Sequence, residues 1–231
     1  MSYTLLRVVQ NGVVLREGHR QRFSLQSARV IAAFDRFCIE ADPGVYALEA
    51  ASHDLVVTPR TGSALTHGMP FRFAPSPFFA PGRHALFAPG RDALFAPGRD
   101  ALFGKPASPS AYDAVRLDAV CTLLTAPDGD EIVEACRGIA LAFRDGVFVC
   151  AKSHFARVKS VSEAFFASEG MNDAPLFSPP KCSNGGENEL WAVANAVAGI
   201  VVLASGRPGA TLAREEAARW NARMENCATR R

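Results

Sequence analysis

One lysine in this 231-residue sequence stands where it could carry chemistry. Lys105 follows a glycine and precedes Pro106, and the proline restricts Lys105 to an extended backbone conformation. Ser110 has the residue type of a helix N-cap, so Lys105 would end a strand or loop shortly before a helix. That position suits an amine pointing into a cleft, where a buried lysine would need a depressed pKa and a partner. The alternative is a solvated lysine in a loop.

Turn signals and apolar spacing predict the elements that must position this lysine. The expected N-terminal elements are a hairpin about Asn11-Gly12, a helical segment from His19 to Asp42, strands on both sides of His53-Asp54, and a strand at Phe71–Phe73. The expected C-terminal elements are a helix over Tyr112–Val120, strands at Val120–Thr125, Glu131–Glu134, Ile139–Phe143 and Val147–Cys150, a helix within Phe155–Gly170, strands within Glu189–Leu203 broken at Gly199, and a helix over Thr211–Met224 capped by Thr211.

This order of elements predicts an α/β (α+β) fold in two parts. We expect a small N-terminal α/β domain over residues 1–78 and a larger, strand-rich C-terminal domain over residues 105–231. A ligand site is expected in the cleft between the two parts, where such sites usually form.

Residues 80–103 form a tandem repeat of three eight-residue units that begin with Ala-Pro-Gly-Arg. The second and third units are identical, and the first differs only at His84. Pro-Gly pairs favour turns, so the repeat indicates an expanded loop within a linker over residues 79–104. The alternative is a lid or a partner-binding segment.

Composition and motifs bear on the class of the protein. The 25 basic and 23 acidic residues are interspersed, which by itself argues neither for nor against a nucleic-acid partner, and there is no basic block beyond Arg230-Arg231. The six cysteines lack Cys-x-x-Cys spacing, and the five histidines lack the spacing of a metal site. The first residues do not resemble a signal peptide, and the longest apolar stretch, Leu190–Ala204, is too short to span a bilayer. We therefore expect a soluble, cytoplasmic protein whose partner is a small molecule, not a nucleic acid, a membrane or a metal ion.

Several segments, taken in order, resemble the class IV aminotransferases. These are the fold-type IV pyridoxal phosphate enzymes, which include branched-chain and D-amino acid aminotransferases and aminodeoxychorismate lyase. The matching segments are His19–Phe23 with the family's His-x-x-Arg-Leu, Gly104-Lys105 with its cofactor lysine, Asp128–Ala135 with its Asp-x-x-Gly-x-x-x-Glu-Gly, Asn195–Ile200 with its late phosphate-contacting turn, and Gly206–Thr211 with its closing segment.

The resemblance implies a role for each matched residue. Lys105 would form a Schiff base with pyridoxal 5'-phosphate, and Glu134 would keep the pyridine nitrogen protonated. Arg22 would bind the phosphate, and backbone N–H groups from Asn195 to Gly199 would complete the phosphate site. Without the resemblance, Glu134 could be a solvated carboxylate at a strand end and Arg22 a surface arginine. The resemblance also implies a homodimer.

Three functions remain open at this point. The first is a pyridoxal phosphate enzyme, either an aminotransferase or a lyase that makes 4-aminobenzoate. The second is a degenerate relative that binds or regulates, because Cys150–Ser160 replaces the family's Leu-Pro-Gly-Ile-Thr-Arg turn and Ile139 replaces an asparagine. The third is an unrelated interaction protein organised by the repeat.

Overall fold

The computed structural model describes residues 3–62, 64–76, 115, 117, 119–126, 131–152, 160–178, 189–204 and 206–228. Lys105, the repeat at 80–103 and most of the helix expected over Tyr112–Val120 lie outside these residues.

Strands dominate the part of the chain that the structure describes. The strands are β1 (Tyr3–Val9), β2 (Gly12–Val13), β3 (Gly44–Ala51), β4 (Asp54–Arg60), β5 (Phe71–Pro75), β6 (Cys121–Thr125), β7 (Ile132–Ala135), β8 (Ile139–Arg144), β9 (Val147–Ala151), β10 (Asn172–Ala174), β11 (Leu190–Asn195) and β12 (Gly199–Val202). The helices are α1 (Arg16–Gln21), α2 (Ala28–Glu40), α3 (Val161–Ser168) and α4 (Ala210–Asn226). The mixture confirms the predicted α/β class.

The N-terminal sheet has the antiparallel strand order β2-β1-β3-β4, with α2 packed on one face. Alternate residues of β1, such as Leu6 and Val8, face α2 and are buried against Phe34. The single helical segment expected from His19 onward is in fact two helices. Ser27 interrupts it by capping α2, where its side chain accepts a hydrogen bond from the Val30 N–H.

The second sheet is buried on both faces, which explains the near-continuous apolar runs of its strands. Its strand order is β10-β9-β8-β11-β12. One face, including Leu141 and Phe143 of β8, packs against α3 and α4. The other face, including Ala140 and Trp191, packs against a third sheet with the strand order β5-β6-β7. The third sheet is therefore held in place by an extensive apolar contact.

β5 and β6 are neighbours in the third sheet but lie far apart in the chain. They pair in parallel, although residues 76–120 separate them. The domain boundary expected at residue 78 remains a prediction.

α4 begins at Ala210, and its N-cap residue is Gly209, which has a φ of 89°. The prediction that Thr211 caps this helix is therefore wrong. Glycine adopts that left-handed conformation readily, which lets the helix begin one residue earlier.

No helix in the described residues has the length and apolar character needed to cross a membrane.

Candidate functional site

Glu134 lies on a buried face of the three-stranded sheet. It is directly opposite Leu124 of β6. Because side chains alternate along a strand, Glu134 shares a face with Leu124 and Thr122, opposite to the face that packs on the second sheet. The side chain is only 6% exposed, so Glu134 is not the solvated strand-end carboxylate of the alternative interpretation. A carboxylate buried to this degree has to be held by polar neighbours.

An arginine and a threonine, Arg72 and Thr122, also lie on this side of the sheet. Arg72 of β5 is opposite Thr122, and its Nε donates to Thr122 Oγ1 at 3.3 Å. Arg72 Nη2 and Thr122 Oγ1 both donate to the Val115 carbonyl oxygen, at 3.2 and 2.7 Å. Arg137, just beyond β7, donates from Nη2 to the Leu117 carbonyl oxygen at 2.9 Å. The Glu134 face therefore also carries the polar pair Arg72 and Thr122, which no local sequence pattern indicates because it depends on the long-range pairing of β5 with β6.

The turn between β11 and β12 is organised by the side chain of Asn195. Its Oδ1 accepts hydrogen bonds from the backbone N–H groups of Val197 and Ala198, at 2.9 and 2.7 Å. Its Nδ2 donates to the Arg137 carbonyl oxygen at 2.8 Å. The Asn195 turn (residues 195–199) is thereby tied to the chain three residues beyond Glu134.

Gly199 ends the same turn and has a φ of 69°. A Cβ at this position would overlap Asn221 Oδ1 and would lie 2.5 Å from Asn221 Cγ. The side-chain amide of Asn221 in α4 binds both backbone polar groups of Ile200, as a neighbouring strand would. Its Oδ1 accepts a hydrogen bond from the Ile200 N–H at 2.6 Å, and its Nδ2 donates one to the Ile200 carbonyl oxygen at 3.1 Å. Glycine is required here for both backbone conformation and space. The spacing of residues in α4 gives no indication of the Asn221 contact, which is purely tertiary.

Arg22 directly follows α1 and is only 6% exposed, so it is not a surface arginine. Burial lowers the pKa of its guanidinium to about 10. The helix before it is fixed by two contacts. His19 Nδ1 hydrogen-bonds to Thr4 Oγ1 at 2.7 Å, and Gly18 lies so close to Val161 of α3 that a Cβ would be 2.5 Å from Val161 Cγ1.

Of the five predicted site residues, Asn195 and Gly199 are paired at the ends of β11 and β12. Asn195 also hydrogen-bonds to the carbonyl group of Arg137, three residues beyond Glu134. Arg22 lies on a different element, at the end of α1. Lys105 lies outside the described residues. Lys152 is the one lysine within them, and it forms a surface ion pair with Asp173 at 3.3 Å, so it is not a candidate for the buried amine.

No family model and no curated protein matches the chain. Solved structures do match it. A fold IV transaminase from Curtobacterium pusillum is 13% identical, with a TM-score of 0.59 over 96% of this chain and 83% of that one. The chain has the fold of the class IV aminotransferases.

Other solved structures with the class IV aminotransferase fold agree. An aminotransferase from Brucella abortus, bound to the cofactor PLP, is 11% identical with a TM-score of 0.60 over 95% of this chain and 88% of that one. A protein from Legionella pneumophila assigned as a 4-amino-4-deoxychorismate lyase is 11% identical with a TM-score of 0.55 over 96% of this chain and 90% of that one. The sequence-based resemblance to fold-type IV proteins is confirmed at the level of the fold.

Arg22 is a buried guanidinium and Glu134 a buried carboxylate, and they belong to different elements. These are the charges that a phosphate group and a protonated pyridine nitrogen would require of their binding residues. We found no group of three or more metal-ligating side chains in the described residues.

Proposed function

We propose that this protein is a pyridoxal phosphate-dependent enzyme that acts on the amino group of an amino acid or of an amino-chorismate type substrate, as an aminotransferase or as a lyase. The supporting observation is the burial of Glu134 on the face of the three-stranded sheet that it shares with Thr122. Glu134 is thus a buried anion, and a carboxylate is the group that can hold the proton on a pyridine nitrogen.

Each residue has a defined task in this proposal. When bound, the cofactor supplies an electron sink for negative charge that develops next to the substrate amino group. Glu134 holds the proton on the ring nitrogen, which the sink requires. Arg22 binds phosphate oxygens with its planar donor groups. Lys105 supplies the amine that holds the cofactor, and its Nζ moves a proton at the substrate carbon.

Catalysis requires Lys105, so the first experiment tests this lysine. Purified protein with added pyridoxal phosphate is expected to be yellow, and borohydride is expected to fix the cofactor on Lys105. Lys105→Ala should abolish the colour and the turnover while the far-UV circular dichroism spectrum is retained. Lys152→Ala is the matched control, because that lysine is in a surface ion pair. Wild-type protein that stays colourless and takes up no cofactor would falsify the enzyme proposal.

A second candidate is a cofactor-free binding or regulatory protein of the same fold. Two observations favour it: Ile139 is a core residue where the family resemblance expects asparagine, and Asn195 uses two N–H groups of the turn expected to contact phosphate. This candidate predicts that pyridoxal phosphate does not bind, whereas a pterin or an aminobenzoate-like ligand does. Isothermal titration with the three ligands distinguishes the two candidates.

We also propose a homodimer, by analogy with the fold-type IV enzymes. Sedimentation velocity at micromolar concentration tests this, and a monomer at all concentrations contradicts it.

A further inference from the structure

Within the part of the chain that the structure describes, β4 is an outer strand of the N-terminal sheet, whose strand order is β2-β1-β3-β4. All of its residues except Leu55 are exposed, and Val56 and Val57 are 48% and 38% exposed. The two valines are adjacent, so their side chains lie on opposite faces of the strand. An exposed outer strand with apolar residues on both faces is a surface to which another strand can pair.

Pro59 determines the direction in which the backbone groups of β4 point. It is opposite Tyr46 of β3 and has no N–H group, so these two residues cannot exchange hydrogen bonds. Hydrogen-bonded and non-hydrogen-bonded pairs alternate along an antiparallel ladder. The N–H and C=O groups of Leu55 and Val57, like the C=O group of Pro59, therefore point away from β3, toward the open side of the sheet.

The sequence of β4 is complementary to itself when two copies run in opposite directions. Val57 is the central residue of the strand, so antiparallel pairing about Val57 overlaps its whole length. Asp54 of each copy then lies opposite Arg60 of the other copy, and opposite charges in such a pair stabilise it. Each Val57 N–H can donate to the Val57 carbonyl oxygen of the other copy, and each Leu55 N–H to the Pro59 carbonyl oxygen.

We propose that β4 is an interface between two copies of this chain, related by a two-fold axis at Val57, so that their two N-terminal sheets join into one continuous sheet. A two-fold axis uses the same surface on both subunits, and a self-complementary strand provides such a surface. The inference rests on the homodimer proposed above and names a surface for it. It does not depend on pyridoxal phosphate.

Val57→Pro tests the hydrogen bonds at the two-fold axis. The substitution removes an N–H group that points to the open side, and it leaves the hydrogen bonds between β4 and β3 in place. We expect wild-type protein to be a dimer at micromolar concentration in sedimentation velocity, and Val57→Pro to raise the Kd of the dimer by at least about tenfold. Val57→Thr keeps the N–H group and the β-branched shape, so this matched control should leave the Kd nearly unchanged. A wild-type monomer at all concentrations, or an unchanged Kd in Val57→Pro, overturns the inference.

Charge reversal tests the register of the two strands. Asp54→Arg or Arg60→Asp alone places like charges opposite each other and should raise the Kd of the dimer by at least about fivefold. The double variant restores opposite charges and should recover most of the wild-type affinity. Arg29→Ala is the control for the ion pair that Asp54 makes within its own chain at 2.8 Å, and it should leave the dimer intact. A double variant that associates no better than the single variants contradicts the pairing about Val57.

Hydrogen exchange on wild-type protein does not depend on any variant folding. Pairing protects the Val57 amide, so its exchange should slow as the protein concentration rises from the monomer range to the dimer range. An exchange rate that is independent of concentration while the protein dimerises overturns the inference.

These outcomes are separate from the test of the proposed function. If wild-type protein takes up no pyridoxal phosphate but Val57→Pro dissociates the dimer, the inference stands and the enzyme proposal fails. If wild-type protein is yellow and its dimer is unaffected by Val57→Pro, the enzyme proposal stands and the inference fails.

Discussion

Replacement of Gly199 by alanine tests the geometry at the end of the Asn195 turn. Two costs are expected. A non-glycine residue at a φ of 69° costs about 1–2 kcal/mol. The new Cβ would also overlap the Asn221 carboxamide and displace it from Ile200, and loss of these two hydrogen bonds costs about 1–3 kcal/mol. The expected decrease in the free energy of unfolding is therefore about 2–5 kcal/mol.

A double-mutant cycle separates the two costs. In an Asn221→Ala background the overlap is relieved and the two hydrogen bonds are already absent, so Gly199→Ala should cost only about 1–2 kcal/mol from the backbone. The coupling energy between the two positions should then be about 1–3 kcal/mol. Urea denaturation, followed by circular dichroism on the four proteins, gives each free energy. A coupling energy below about 0.5 kcal/mol would mean that the Asn221 carboxamide does not occupy the space beside Gly199.

Three further predictions concern other parts of the chain. Burial, and to a lesser extent the charge of Arg214, lowers the pKa of His67, whose Nδ1 accepts a hydrogen bond from the Val202 N–H at 3.0 Å. The unfolded chain therefore binds a proton more readily than the folded protein at this histidine. The free energy of unfolding should fall as the pH drops below about 6.5. His67→Gln should lose this dependence between pH 5 and 8 in urea titrations, and an unchanged pH profile would contradict it. Ser27→Ala removes the α2 cap and should lower the free energy of unfolding by about 1 kcal/mol, whereas Ser24→Ala, just outside the helix, should have little effect. Deletion of residues 88–103 should change the free energy of unfolding by less than about 1 kcal/mol, since the closure cost of a loop varies slowly with its length; loss of the fold would indicate that the repeat is structural.

The parts of the fold that could be predicted depend on local signals. The Asn11-Gly12 turn predicts the first hairpin, and β1 does pair with β2 there. The runs at Ile139–Phe143 and Val147–Cys150 were predicted as strands, and β8 and β9 pair across the turn between them. Both faces of these strands carry apolar residues because the second sheet is buried between two layers, and this apolar pattern is visible in the sequence.

The parts that could not be predicted depend on contacts between distant residues. The parallel pairing of β5 with β6 spans residues 76–120, so no local pattern indicates that Arg72 and Glu134 share a sheet. The sequence analysis predicts that backbone N–H groups from Asn195 to Gly199 contact a phosphate. In the structure, the N–H groups of Val197 and Ala198 donate instead to the Asn195 side chain. A sequence gives the residue type that can accept these bonds but does not show that it does so.

The Asn221 contact also has a consequence for association between molecules. β12 is an edge strand of the second sheet, and an unpaired edge is a template on which a strand from another chain can add. The Asn221 carboxamide takes both polar backbone groups of Ile200, in the middle of the Gly199–Val202 strand. An incoming strand would have to displace this side chain before it could pair. The Asn221 carboxamide therefore protects this edge together with His67 and Gly68, which bind the N–H group and the carbonyl oxygen of Val202 at 3.0 and 2.9 Å. Substitutions at position 221 should increase self-association during refolding even where the folded protein tolerates them.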